Sequence, residues 1–181
     1  MILDKNLVFI VGPSGIGKTT ILKYISADLG YDAISLDDLV AKKAKEANII
    51  DEGNAYQVLK KLGSKSLFLF GLRCLFGFLE KKGDEKILID VGAAFQDNTI
   101  FSHISNFYYV VCLTAEPNVA HKRYCEFRGG RRDFKTHCFI EFSSARVEVY
   151  NSSHFIIDST RMNESQSAIA LKKIIMNMGK N

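Results

Sequence analysis

Gly12-Pro13-Ser14-Gly15-Ile16-Gly17-Lys18-Thr19 decides the reading of this chain. The octet runs Gly, four variable residues, then Gly-Lys-Thr; it follows the apolar run 7–11 and opens a helical segment that closes near Leu29. A strand, a glycine-rich turn and a helix in that order make a cradle for phosphate. The glycines let the backbone turn so that successive N–H groups face one point, and the helix N-terminus adds its positive dipole end. Lys18 then reaches the β- and γ-oxygens of a nucleoside triphosphate, and the Thr19 hydroxyl is a ligand for the Mg²⁺ that bridges them. Gly12 through Thr19, with Thr20 after them, are the expected ATP-binding residues.

Outward from this motif, short apolar runs alternate with longer stretches of helical period, the pattern of an α/β fold with a parallel sheet. Strands are expected at 7–11, 32–36, 86–91, 107–113 and 154–158, and helices at 18–29, 37–47, 53–62, 65–82, 117–127, 136–151 and 165–178. Ile87-Leu88-Ile89 and Tyr109-Val110-Val111 are apolar without alternation, as strands covered on both faces are. Pro117 suits a first helical turn, where its missing N–H costs nothing.

A second acid is needed at a neighbouring strand end to hold the metal through water. Lys86-Ile87-Leu88-Ile89-Asp90 has that form, an apolar run closed by an acid, and makes Asp90 the first candidate. Asp37 and Asp38, after Ile34-Ser35-Leu36, are the others, and one of them is expected to cap the following helix.

Composition sets the bounds. The 181 residues, 47% hydrophobic and 24% charged, suit one domain spanning 1–181 with its own core. The formal charge of +4 fits a polyphosphate binder without requiring nucleic acid. Cys74, Cys112, Cys125 and Cys138 form no CxxC pair and read as reduced thiols of a cytoplasmic protein, and His103, His121, His137 and His154 show no metal-ligand spacing. The run 7–11 is too short for a secretory signal, and the apolar stretch 67–79, interrupted by Arg73, is too short to span a bilayer. That stretch reads as a helix packed on the sheet, or as the wall of an apolar acceptor pocket or dimer face. The partner expected is a small-molecule acceptor, with no membrane, and the chain is expected to be a monomer or weak homodimer.

With these residues in place, the chain resembles the shikimate kinase family, within the nucleoside-monophosphate-kinase-like group. The P-loop runs into Thr19-Thr20, a helix ends in Leu29-Gly30-Tyr31, and a short strand leads to Asp37. Arg146-Val147-Glu148-Val149-Tyr150, followed by Phe155-Ile156-Ile157-Asp158-Ser159-Thr160, resembles the family's closing pattern of an Arg, a Tyr four residues on, the last strand and an adenine-side loop. The resemblance implies a three-layer P-loop fold, a five-stranded parallel sheet of order 2-3-1-4-5 with helices on both faces, and a mobile lid. It implies that Asp37 binds and orients the acceptor hydroxyl and that Arg146 binds an acceptor carboxylate. The family's Asp-x-Asp reads Ser35-Leu36-Asp37 here, so Asp90 would supply the metal-side acid. The Phe-Arg pair that clamps the acceptor carboxylate falls nearest Leu67-Phe68, which lacks the arginine. Of the triple glycine beside the acceptor, Val91-Gly92-Ala93 keeps Gly92. These departures lie in one pocket and point to a changed acceptor.

Arg128-Gly129-Gly130-Arg131-Arg132 stands where the family carries its arginine-bearing lid, here about 128–135. Arg132, or Arg131, would reach the transferred group after closure, while Arg123 and Arg128 would contact the nucleotide. A short Arg/Gly segment beside the single Phe134 is weak support for nucleic-acid binding. Glu141 and Glu148 read as surface helix charges. The function expected is a γ-phosphoryl transfer from ATP to a hydroxyl of a small acceptor, with a nucleoside or nucleotide kinase, or an ATP-binding regulatory module, as the rival readings.

Overall fold

The computed structural model describes residues 3–92, 95, 101, 103–129 and 132–178, with the Arg128 side chain outside that description. Five strands, β1 (Asp4–Val11), β2 (Asp32–Ser35), β3 (Ile87–Asp90), β4 (Tyr108–Thr114) and β5 (Phe155–Asp158), form one sheet in the order β2-β3-β1-β4-β5. Every pairing is parallel. Both the order and the orientation are those expected from the sequence.

The unbroken apolar runs are explained by the two faces of this sheet. In β1, Phe9 and Val11 belong to one core with Ile87, Ile89, Val110 and Cys112, while Val8 and Ile10 belong to the other with Leu88, Val111 and Leu113. The first core is closed by α2 (Leu36–Glu46), α3 (Ala55–Leu62) and α4 (Ser64–Lys82), the second by α1 (Lys18–Leu29) and α8 (Glu164–Asn177). α5 (Pro117–Arg128) adds Ala120 to the second core, and α7 (Ser144–Asn151) adds Val149 and Tyr150 to the first. All four cysteines are free thiols, and burial pushes the Cys112 thiol up to about 12. Among the described residues no helix is long and apolar enough to cross a membrane.

Local chemistry sets most helix ends. Asn54 and Gln57 form a capping box at α3, and Asn163 with Gln166 does the same at α8. Pro117 occupies the first turn of α5. At α2 the cap is neither aspartate: the Ser35 hydroxyl accepts the Asp38 N–H at 3.3 Å, leaving Asp37 and Asp38 in the first turn. The helix expected over 136–151 is two helices, α6 (Phe134–Glu141) and α7. Asp133 caps α6 through Thr136, and the chain turns out to an extended Ser143 before restarting. Serine favours such breaks because it suits caps better than helix interiors.

In α4 the apolar stretch buries Leu67, Gly71, Cys74 and Leu75 toward the first core and leaves Leu69 and Phe76 exposed. It is the packed helix of the bland expectation, and it lines none of the cavities described below.

Candidate active site

The carboxyl ends of the parallel strands bring the chemistry-bearing residues together, as open α/β sheets do. The octet turns between β1 and α1 with Gly12, Gly15 and Gly17 all at positive φ. A Cβ on Gly12 would lie 1.9 Å from the Leu113 carbonyl oxygen of β4, and Gly15 is barred by a second element. Gly15 sits at φ +81 and a Cβ there would lie 2.6 Å from the Tyr124 Cα of α5. α1 begins at Lys18 behind Gly17, which has no side chain to satisfy the first amides, so these face the space in front of the loop. Lys18 is buried, with Nζ donating to the Gly12 carbonyl at 2.9 Å and the Pro13 carbonyl at 3.0 Å. Ile16 turns its side chain into the second core, so only its backbone is available to phosphate.

Thr19 in the first turn of α1 meets Asp90 at the end of β3, the Thr19 hydroxyl donating to Asp90 Oδ2. Asp90 is 5% exposed, and its Oδ1 is buried with no hydrogen-bond partner. A hydroxyl beside an orphaned carboxylate oxygen is a hard-oxygen donor set of the kind Mg²⁺ takes alongside phosphate oxygens and water. Among the described residues no three His, Cys, Asp or Glu side chains cluster as a complete metal cage, so these two would share the ion with the nucleotide.

Asp37 lies over Gly92. A Cβ on Gly92 would stand 2.0 Å from Asp37 Oδ1, so the glycine makes the room that the carboxylate fills. Both line a cavity of about 410 Å³ with Ser14, Gly15, Gly17, Lys18, Thr19, Thr20 and Asp90. Asn54, Ala55 and Tyr56 at the start of α3 line it as well. Leu67-Phe68, the nearest match to the Phe-Arg pair and one that lacks the arginine, lines no part of this cavity, and Leu67 is 1% exposed in the first core.

Arg132 and Arg146 line neither this cavity nor the one beside it. Both bind Glu141, which is 1% exposed: Arg132 Nη1 to Oε1 at 2.8 Å, Arg146 Nη1 to Oε2 at 2.6 Å. Glu141 Oε2 also accepts the Ser14 N–H of the phosphate loop at 3.1 Å. Burial would raise this carboxyl, but the Arg146 guanidinium, the Ser14 amide and Arg132 outweigh it and hold it below its ordinary value. Arg132 also stacks 4.8 Å over the Tyr124 ring, and Tyr150 donates its hydroxyl to the Glu141 carbonyl. Glu141 is therefore no surface charge. It ties both arginines to the phosphate loop, and its one local signal is the Ser143-Ser144 pair just after it, between α6 and α7.

One turn earlier on α6, His137 is fully buried between His121, Tyr124 and Phe142, with neither ring nitrogen hydrogen-bonded. Burial lowers its imidazole below the ordinary value against the pull of Glu141.

Arg123, expected at the nucleotide, is fixed by three hydrogen bonds. It donates at 2.8 Å each to the Ser159 hydroxyl, the Ser159 carbonyl and the Met162 carbonyl. This fastens α5 to the β5–α8 loop beside a second hollow of about 210 Å³ lined by Gly15, Ile16, Arg123, Phe127 and Met162. Gly130, Arg131 and the Arg128 side chain, expected at the lid and nucleotide, lie outside the described residues.

No model of a protein family matches the chain, and no curated protein matches it in sequence. Solved structures do match in shape. A shikimate kinase from Acinetobacter baumannii, solved in complex with shikimate, superposes with a TM-score of 0.74 at 16% identity over 97% of this chain and 95% of that one. A shikimate kinase from Bacteroides thetaiotaomicron gives 0.72 at 18% identity over 94% and 98%. The fold is that of a shikimate kinase. A third, from Aquifex aeolicus, gives 0.66 at 14% identity over 94% and 97%. At these identities the likeness describes the fold alone.

Proposed function

We propose that this protein is an ATP-dependent phosphotransferase that moves the γ-phosphoryl group onto a hydroxyl of a small-molecule acceptor. The observation that carries the reading is a single cavity lined by the phosphate loop, Lys18, the Thr19–Asp90 pair and Asp37. Donors for phosphate, oxygen ligands for a metal and a carboxylate for an acceptor proton face the same space.

The loop amides and the α1 N-terminus hold the β-phosphate. Lys18 Nζ exchanges the Gly12 and Pro13 carbonyls for β- and γ-oxygens of the nucleotide, spreading charge as the γ-group leaves. Thr19 Oγ1, and Asp90 through water, would hold Mg²⁺, which when bound neutralises the β- and γ-oxygens. Asp37 accepts the hydrogen bond of the acceptor hydroxyl; the oxygen–phosphorus bond forms, the bond from γ-phosphorus to the bridging oxygen breaks, and the proton passes to the Asp37 carboxylate. Arg132 and Arg146, carried on Glu141, stand on the Ser14 side of the loop, from which a lid arginine would reach the γ-group. We read the protein as cytoplasmic and its partner as a small molecule.

The test is ADP release with Mg-ATP across a panel of hydroxy-acids, sugars, nucleosides and nucleoside monophosphates. Lys18→Ala should cut acceptor-dependent release by roughly 10²–10³-fold, as loss of one charge-stabilising donor does, with the circular dichroism spectrum unchanged. ATP binding without acceptor-dependent release would favour the regulatory-module reading instead.

A further inference from the structure

We propose that the acceptor carries no acidic group: the site is shaped for a polyol or an amino alcohol. This rests on the kinase reading above and narrows it. The first observation is where the arginines go. Arg146, which the resemblance would assign to an acceptor carboxylate, is engaged by a buried glutamate at 2.6 Å, and Arg132 is engaged by the same group. A guanidinium paired with a buried carboxylate has its charge already answered, and withdrawing both arginines would leave Glu141 buried and uncompensated.

The second observation is the wall of the cavity. Among the described lining residues Lys18 is the sole cation, and it belongs to the phosphates. Around it stand Asp37, Asp38, Asp90 and Glu164, and the Asp90 Oδ1 is buried without a partner. The segment 93–102, which follows Gly92, contains no lysine or arginine at all, its one charged residue being Asp97. Lys42 and Lys45 line a separate open groove on the outer side of Asp38 and Asn54. An acceptor carboxylate beside Asp37 would meet like charge from Asp37, Asp38 and the γ-phosphate, with no lining cation but Lys18 among the described residues to offset it.

The third observation is what the wall offers. Asp37 and Asp38 on the first turn of α2 and the Tyr56 ring, 58% exposed, face one space. Carboxylates that accept from hydroxyl or ammonium groups, beside an aromatic face that covers C–H surface, match a polyhydroxy or amino-hydroxy compound. One acceptor hydroxyl gives its proton to Asp37 and takes the phosphoryl group; the others, or an ammonium, donate to Asp38.

The experiment separates this inference from the reading beneath it. A deproteinised metabolite extract is split on a strong anion exchanger at neutral pH, and each fraction is incubated with the full-length protein, Mg²⁺ and γ-³²P-labelled ATP. The expected result is acceptor-dependent ADP release and a new labelled compound from the flow-through, which holds neutral and cationic molecules. Transfer only from the retained acids overturns the proposal and leaves the kinase reading standing. Transfer from neither fraction removes both. With the flow-through acceptor, Asp38→Ala should raise KM roughly tenfold, as loss of a hydrogen bond to a charged group does, with kcat little changed. An unchanged KM would overturn the role given to Asp38.

Discussion

Glu141 Oε2 accepts the backbone N–H of Ser14 at 3.1 Å, joining residues 127 apart in the chain. The same carboxylate is the shared counter-ion of Arg132 and Arg146. The amide of the phosphate loop and the arginines beside it are thus set by one buried side chain.

Removing it should be costly. Glu141→Ala leaves two guanidinium groups facing each other and a loop amide without its acceptor, and should lower unfolding free energy by about 3 kcal/mol. Glu141→Gln keeps the shape and one acceptor oxygen and should lose less. Urea unfolding of both variants checks the order, and equal losses would contradict the ion-pair account.

Gly92→Ala separates catalysis from binding. The new Cβ would stand 2.0 Å from Asp37 Oδ1, so the carboxylate must swing away. A displacement of that size should lower kcat about 10²-fold while the Kd for ATP is unchanged. Single-turnover transfer alongside titration calorimetry gives both quantities, and a proportional loss of ATP affinity would show that the damage had spread into the phosphate loop.

Arg123 fastens α5 to the β5–α8 loop through three hydrogen bonds of 2.8 Å. Arg123→Ala should weaken ADP binding roughly tenfold by loosening the hollow between those elements. Arg123→Lys, which lacks the planar fork, should recover little of it. Full recovery by lysine would mean that charge alone, and not the fork, does the fastening.

His137 gives the fold an acid-sensitive element. Its imidazole is held below its ordinary 6.5 by burial, so between 6.5 and that lower value the unfolded chain binds more protons than the native one. Stability is therefore full above 6.5 and is lost as pH falls. His154 is lowered in the same direction, and Glu141 adds a further loss only below its ordinary 4.5. His137→Phe should flatten the stability curve between 6.5 and 4.5 while leaving stability at neutral pH close to that of the native chain, since an unpaired polar ring is replaced by an apolar one of similar shape. Chemical denaturation at several pH values is the measurement, and an unaltered slope would exclude His137 as the source.

Much of this molecule could be read from the chain because its decisive signals are local. The octet carries its own geometry, and the unbroken runs at β1, β3 and β4 announce strands covered on both faces. Asp90 is recognisable as a strand-end acid because the three apolar residues Ile87, Leu88 and Ile89 run from Lys86 straight to it. Most of what the sequence conceals is non-local. Glu141 lies in a helix with ordinary spacing, and no periodicity reveals that an amide 127 residues away will bury it. Leu67-Phe68, the nearest match to the Phe-Arg pair, belongs to the packing of α4, while Asn54 and Tyr56, which no motif marks, line the cavity. The cap at α2 was given to an aspartate when Ser35, one residue before Leu36, was the nearer oxygen.

The closeness of Gly15 to Tyr124 limits how this chain can vary. The obstacle at 2.6 Å is the main chain of α5, so no exchange of the side chain at position 124 relieves it. The positive φ at Gly15 adds a second, independent bar. An octet transplanted from another nucleotide-binding protein would seat here only with glycine in its fourth place, whatever its affinity for phosphate in its own host. The helix leaning on the loop thus acts as a template for the loop's sequence, alongside the ligand that the loop was shaped to hold.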